Sequence, residues 1–223
     1  MDAFPLISCL LGLGLGVRAD KAAARLRPDS PRPSPLRLAA TVLTMGLWAW
    51  LAAERYGFSA HWGAALLFGW LLLTVSSVDL ACFRIPDALS LPGAALALPA
   101  GAFLYGLGWD AVIGALAGAG FLLAAQQGHR LLTGGREGLG GGDVKLMLLI
   151  GGLLGWRLLP LVLLLACAAA LPASILYLGR RRADGDHLAV PFGPFLALGA
   201  GVCLLYGPAL WRAWLRGGNG FSP

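Results

Sequence analysis

Two aspartates lie where long apolar segments end, and acids in such places can do proton chemistry. Asp79 closes the apolar stretch 56–78, and Asp143 follows Gly140–Gly142 and opens another. Two carboxyl groups brought together at a partly dry site do not both ionise easily, so one stays protonated and the other charged. The charged member can take a proton from water while the neutral member donates to a scissile carbonyl. Asp79 and Asp143 are therefore a candidate catalytic pair.

The same residues allow simpler interpretations. A lone aspartate at a helix end often caps the helix or lies in solvent at the membrane boundary, and ionisable groups at membrane depth also line ion paths in transporters. The glycines before Asp143 favour chemistry, because a backbone without Cβ atoms lets a substrate approach closely and reach amide N–H groups. Gly140, Gly141 and Gly142 are therefore predicted to support the site or to contact substrate.

The elements that must position these acids are long apolar segments. Uncharged stretches occupy residues 3–17, 38–53, 56–78, 88–109, 111–128, 146–156, 158–179 and 188–211. A helix needs about 20 apolar residues to cross the hydrocarbon, within a range of about 17–25. Five stretches meet that range, the first two fall just short, and 146–156 is too short without its flanks. The pattern predicts an all-α, polytopic membrane protein with seven to eight transmembrane segments.

Composition excludes the other broad classes. Only 13% of the 223 residues are charged and 58% are hydrophobic, whereas soluble domains carry about 25% charged residues. Disordered chains are polar and highly charged, so disorder is excluded as well. Transmembrane strands alternate between lipid-facing and lumen-facing side chains, but stretches such as 161–170 are apolar on every side. Helices are expected throughout.

The first apolar run predicts a retained helix that anchors the chain. A secretory signal peptide carries its basic residues before the apolar run. Here Arg18, Lys21 and Arg25 follow the run instead.

Basic residues predict the orientation. With the N-terminus outside, alternate loops place 13 of the 17 Lys and Arg on one side, which the positive-inside rule makes cytoplasmic. Two helices, over 88–109 and 111–128, separate Asp79 from Asp143, and because that number is even both acids should emerge on the cytoplasmic face. The net charge of +6 suits an anionic inner leaflet. Membrane lipids are therefore expected partners, and nucleic acid is not.

No metal site and no cofactor are expected. The four cysteines are scattered without Cys-x-x-Cys spacing, which argues against a zinc site or a redox pair. The three histidines fall in different predicted loops on opposite faces, so they do not form a ligand cluster.

Three motifs, in order along the chain, resemble a known family. Residues 78–92 (VDLACFRIPDALSLP) resemble the first signature of bacterial type IV prepilin leader peptidases. Residues 137–146 (EGLGGGDVKL) contain the Gly-x-Gly-Asp motif shared with presenilin-type intramembrane proteases, and residues 191–199 (PFGPFLALG) give the third match. The resemblance covers about residues 60–205, a family-like core within one integral-membrane peptidase domain over residues 1–223.

The resemblance implies a function and a role for the matched residues. Asp79 and Asp143 fall on the family's two catalytic aspartates, and Lys145 follows close behind the second as a supporting residue. The family removes the short basic leader of type IV prepilins and pseudopilins, cutting after a glycine at the cytoplasmic face of the inner membrane. The implied activity is an aspartic endopeptidase, and the implied partners are those substrates.

One departure from the family concerns methyl transfer. Longer members carry, between the first two helices, a cytoplasmic insert with two Cys-x-x-Cys pairs that is linked to N-methylation of the new pilin N-terminus. Here the predicted short basic loop 18–37 contains no cysteine, so thiolates cannot bind zinc there. N-methyltransferase activity is accordingly doubtful.

Two further positions have structural explanations. Asp87 follows Pro86 and precedes an apolar helix, which is a favourable N-cap position. We expect its side chain to bind helix N–H groups, so that it supports the site without catalysing. Gly193 and Pro194 predict a helix start or a re-entrant bend, which is tolerated where protein or water covers the backbone.

Two other functional classes fit part of the pattern. A small proton- or cation-coupled transporter would use Asp79 and Asp143 as a relay near the bilayer midplane, although these acids map to the boundary. A non-catalytic membrane subunit of a secretion machine would need no carboxylate pair at all.

Overall fold

A computed structural model describes residues 3–26, 35–133, 140–181 and 191–218 of the chain. These residues form α-helices and contain no strand. The eight helices are α1 (Phe4–Arg25), α2 (Pro35–Tyr56), α3 (Ala60–Cys82), α4 (Asp87–Pro99), α5 (Trp109–Leu132), α6 (Gly141–Leu154), α7 (Leu159–Arg181) and α8 (Gly193–Gly218). A π-helical turn (Ala100–Leu104) extends α4, and a 3₁₀ turn (Trp156–Leu158) joins α6 to α7. The all-α prediction is confirmed.

Six of these helices are long and apolar enough to cross a membrane. The candidate spans are Pro35–Tyr56, Ala60–Cys82, Asp87–Leu104, Trp109–Leu132, Trp156–Ile175 and Gly193–Ala213. Of the two other helices, α1 carries Arg18, Asp20 and Lys21 in its C-terminal half, and α6 has only 14 residues. The chain is therefore a polytopic helical membrane protein.

The predicted loop over 18–37 is longer at both ends than the segment that separates α1 from α2 in the structure. Helix α1 continues to Arg25 and α2 begins at Pro35, while residues 27–34 lie outside the described part of the chain. Charged residues do not end α1, because alanine, lysine and arginine are strong helix formers. The small side chains of Ala19 and Ala23 are fully buried, so this part of α1 is still packed in the bundle.

Helix α6 forms much of the core despite its length. Nine of its 14 residues are buried, and its apolar side chains share one core cluster with residues of α3 and α8. Glycines allow close approach: a Cβ on Gly114 of α5 would meet the carbonyl of Gly151 of α6, and the reverse also holds. Small residues permit such backbone contact between membrane helices. The short helix is thereby enclosed by its neighbours.

Three helix ends meet at one end of the bundle. Helix α3 ends at Cys82, where Phe83 adopts the left-handed conformation (φ 53°) and turns the chain into the connector 83–86. The start of α6 packs on this connector, because a Cβ at Gly142 would lie 2.7 Å from the Cβ of Ile85. The start of α8 lies against the last turn of α3, where the backbone of Gly193 binds Asp79. We call this the acid-bearing end.

Candidate active site

Asp79 lies on the last turn of α3, inside the helix rather than after it. Its side chain is buried, with 5% of the residue exposed. The backbone N–H of Gly193, the first residue of α8, donates to its Oδ2 at 3.0 Å. The N-terminus of a helix favours negative charge, so this contact stabilises a carboxylate at Asp79.

The contact between Gly193 and Asp79 does not follow from the sequence pattern. The sequence predicts only that Gly193 begins a helix or a bend, and it does begin α8. A Cβ at this position would lie 2.7 Å from Oδ2 of Asp79. The only sequence feature that points to this contact is the third motif, 191–199. The steric reason for glycine at position 193 becomes visible only in the folded structure.

Asp143 lies on the first turn of α6, outside the six candidate spans. It is 8% exposed, and its backbone N–H donates to the carbonyl of Gly140 at 3.1 Å. Burial, and after it the charge of Asp79, raise the pKa of Asp143 to about 7, while a hydrogen bond from the backbone of Gly140 opposes the shift. A carboxyl with this pKa holds its proton close to neutral pH.

The structure brings the two acids into one site. They come from helices that are not consecutive, yet the charge of Asp79 acts on the pKa of Asp143. Carboxyls whose charges interact do not take up protons independently of each other. The arrangement can supply one proton acceptor and one proton donor at the same place.

The three glycines before Asp143 differ in their surroundings. Gly140 precedes the first residue of α6, and a Cβ added to Gly141 would have no atom within 4 Å. At Gly142 a Cβ would collide with Ile85. Gly142 therefore has a packing reason to be glycine, and Gly141 leaves an open approach beside Asp143.

The N-cap prediction for Asp87 is wrong. Pro86 takes the cap position with an extended backbone and no side-chain cap hydrogen bond, and Asp87 is the first residue of α4. Its carboxylate binds the ammonium group of Lys145 instead, with Nζ 2.5 Å from Oδ1. The structure thus joins two residues that the sequence assigns to separate supporting roles.

An apolar cavity of about 420 Å³ begins beside Asp79 and runs along α8. Ser76, Leu80 and Pro194 line it near the acids. The rest of the lining comes from α2, α3 and α8: Thr44, Met45, Trp48, Leu51, Gly69, Leu72, Leu73, Ala197, Leu198, Val202, Leu205 and Tyr206. Its mostly apolar lining has the chemistry to accept apolar side chains next to the site.

Among the residues that the structure describes, no histidine or cysteine joins the acids in a metal-binding group. His61 stacks on Tyr56 and contacts Tyr105 near the start of α3, His129 lies on the last turn of α5, and His187 falls outside the described residues. Within the described ranges, no three His, Cys, Asp or Glu side chains form a group able to hold a metal ion.

Comparison with known proteins relates the chain to one family. Residues 66–175 match the model of the type IV leader peptidase family. The prepilin leader peptidase/N-methyltransferase of Pseudomonas aeruginosa is 36% identical over 216 residues, covering 96% of this chain and 70% of that protein. The proteins of the same name from Aeromonas hydrophila and Stutzerimonas stutzeri are 40% and 35% identical, covering 69% and 78% of this chain. No solved structure matches the chain.

These relatives are longer than the present chain. It spans 70% of the Pseudomonas aeruginosa protein, 53% of the Aeromonas hydrophila protein and 60% of the Stutzerimonas stutzeri protein. The matched family segment contains both Asp79 and Asp143, together with Asp87 and Lys145.

Proposed function

Because the chain belongs to the type IV leader peptidase family, we propose that it is an aspartic endopeptidase that removes the short basic leader from type IV prepilins or pseudopilins. The observation that carries this proposal is the buried pair of Asp79 and Asp143, whose carboxyls interact at the acid-bearing end. An acid pair that shares one proton is the arrangement with which aspartic proteases activate water for amide hydrolysis.

The surroundings of the two acids indicate which acts as the base and which as the acid. The N–H of Gly193 favours a negative charge on Asp79, and the raised pKa of Asp143 keeps a proton there near neutral pH. Asp79 then acts as the base that takes a proton from the attacking water, and Asp143 as the acid that donates to the scissile carbonyl. The open side of Gly141 provides the approach for the substrate backbone.

The apolar cavity supports a substrate with a membrane-embedded segment. Three of its lining residues lie near Asp79: Ser76 and Leu80 are on the same end of α3, and Pro194 follows Gly193, which binds Asp79. A scissile bond at the acids would place the apolar residues that follow it along α8, while the basic leader stays in water. We place the acid-bearing end on the cytoplasmic face of the inner membrane, because the majority of basic residues fall on the side predicted for both acids.

The proposal covers cleavage alone. The relatives' names join peptidase and N-methyltransferase activities, but the segment 18–37 contains none of the cysteines that the family resemblance links to methyl transfer. The transporter interpretation has no supporting observation of its own, since both acids lie at helix ends rather than midway along a span.

Co-expression with a candidate prepilin tests the proposal. We expect a product shortened by its leader, with a new N-terminus directly after the glycine, as determined by N-terminal sequencing. Asp79→Asn and Asp143→Asn should each abolish the product while the protein still reaches the membrane, and Asp110→Asn at the other end of the bundle should leave it intact. Processing at the normal rate by either of the first two variants would remove the assignment.

A further inference from the structure

One ion pair joins the segments that carry the two acids. Lys145 of α6 binds Asp87 of α4 at 2.5 Å, and both side chains are partly exposed. Only the last three residues of α3 and the connector 83–86 separate Asp87 from Asp79, and Lys145 lies two residues beyond Asp143. The pair therefore bridges the neighbourhoods of both acids without touching either one.

The spacing of Asp143 and Lys145 relates the directions in which their two side chains leave α6. Successive helix residues are about 100° apart, so residues two apart point about 200° from each other. When Lys145 is held toward α4, Asp143 must face the opposite side, toward the ends of α3 and α8. A bond at Lys145 thus sets the rotation of the first turn of α6.

A second contact, between Gly142 and Ile85, also fixes the start of α6. Gly142, the residue before Asp143, packs closely on Ile85 in the connector. The start of α6 is therefore held at two points, by packing of Gly142 on the connector and by the ion pair of Lys145 with the first residue of α4. The two contacts act on the same part of α6 and together restrict the orientation of its start.

We propose that Lys145 and Asp87 are a positioning pair that fixes the orientation of Asp143 relative to Asp79. This inference rests on the proposed peptidase function. An exposed ion pair contributes little to stability, so its removal should leave the bundle folded and allow an effect on orientation to be measured. The ammonium group of Lys145 is bound to Asp87, so it acts on the reaction through the helix.

A double-mutant cycle tests the pair. The purified full-length protein is assayed in detergent on a prepilin that the wild type cleaves, with Lys145→Gln, Asp87→Asn, the double variant and Lys145→Arg. We expect each single change to lower kcat about tenfold with KM unchanged, since small misplacements of catalytic groups reduce rate strongly. The double variant should lose about the same tenfold, because one interaction is removed in each case, and Lys145→Arg should retain most of the rate.

A matched control and the melting temperature separate positioning from stability. Arg157→Gln breaks another partly exposed ion pair, with Asp110 at 3.4 Å, at the opposite end of α6. It should cleave at the wild-type rate, and all variants should melt within a few degrees of wild type.

Several outcomes would overturn the inference. They are wild-type rates for both single variants, a multiplied loss of about a hundredfold in the double variant, or a rise in KM with kcat unchanged, which would indicate substrate contact. Absence of cleavage by the wild-type protein on any prepilin would instead refute the proposed function, and this inference with it.

Discussion

Replacing Gly193 by alanine should displace the carboxylate of Asp79. A Cβ at position 193 would lie 2.7 Å from Oδ2 and 3.2 Å from Cγ of Asp79, whereas ordinary contact begins at 3.4 Å. The overlap with Oδ2 is about 0.7 Å, and because Asp79 is buried its carboxyl has little room to move. A shift of about 1 Å in a reacting group costs about 100-fold in rate, so we expect cleavage to fall about 10- to 100-fold.

The expected effect of Gly193→Ala is due to steric overlap and not to backbone strain. Gly193 is not among the glycines with positive φ, so alanine can adopt its backbone, and alanine is the better helix former. Initial rates of leader cleavage by purified wild type and Gly193→Ala, with membrane levels matched, measure the effect. Gly120→Ala on α5 is the control, since no atom lies within 4 Å of its Cβ position. A wild-type rate for Gly193→Ala would refute the role assigned to this contact.

Two more predictions concern the first turn of α6. Gly142→Ala should lower cleavage because its Cβ would collide with Ile85, whereas the control Gly128→Ala on α5, with open space around it, should cleave near the wild-type rate; equal losses at both positions in the same assay would contradict the packing explanation. Since the pKa of Asp143 is raised to about 7 rather than the usual 3.8, its acid form persists up to about pH 7 and is lost above it. The cleavage rate should then fall about tenfold per pH unit on the alkaline side, and a rate that stays constant from pH 6 to 9 would exclude Asp143 as the proton donor.

The sequence predicts the helical membrane fold well because the length of an apolar stretch is a local property. Helix boundaries are less predictable where charge and helix propensity disagree. Arg18 and Lys21 indicate a loop, but the alanine-rich segment around them remains helical to Arg25. Asp79 likewise lies inside α3. This helix does not end at its first charged residue but at the left-handed turn of Phe83.

The site is predictable only in part, for a different reason. Asp79 and Asp143 stand out in an apolar sequence, and the structure brings them together. The contacts that hold them join residues far apart in the chain, such as Gly193 with Asp79 and Lys145 with Asp87. The local pattern favours capping for Asp87, but its carboxylate finds a cation 58 residues away. Such pairings depend on the packing of α4, α6 and α8, which no local spacing specifies.

Mass spectrometry of a purified reaction tests the central claim most directly. The full-length protein in detergent is incubated with a prepilin whose basic leader ends in glycine, alongside Asp79→Asn and Asp143→Asn prepared in the same way. We predict two fragments from the wild type, the leader ending at the glycine and the apolar remainder, and intact substrate from both variants. Intact substrate with the wild-type protein, or the same two fragments with Asp79→Asn or Asp143→Asn, would contradict the account.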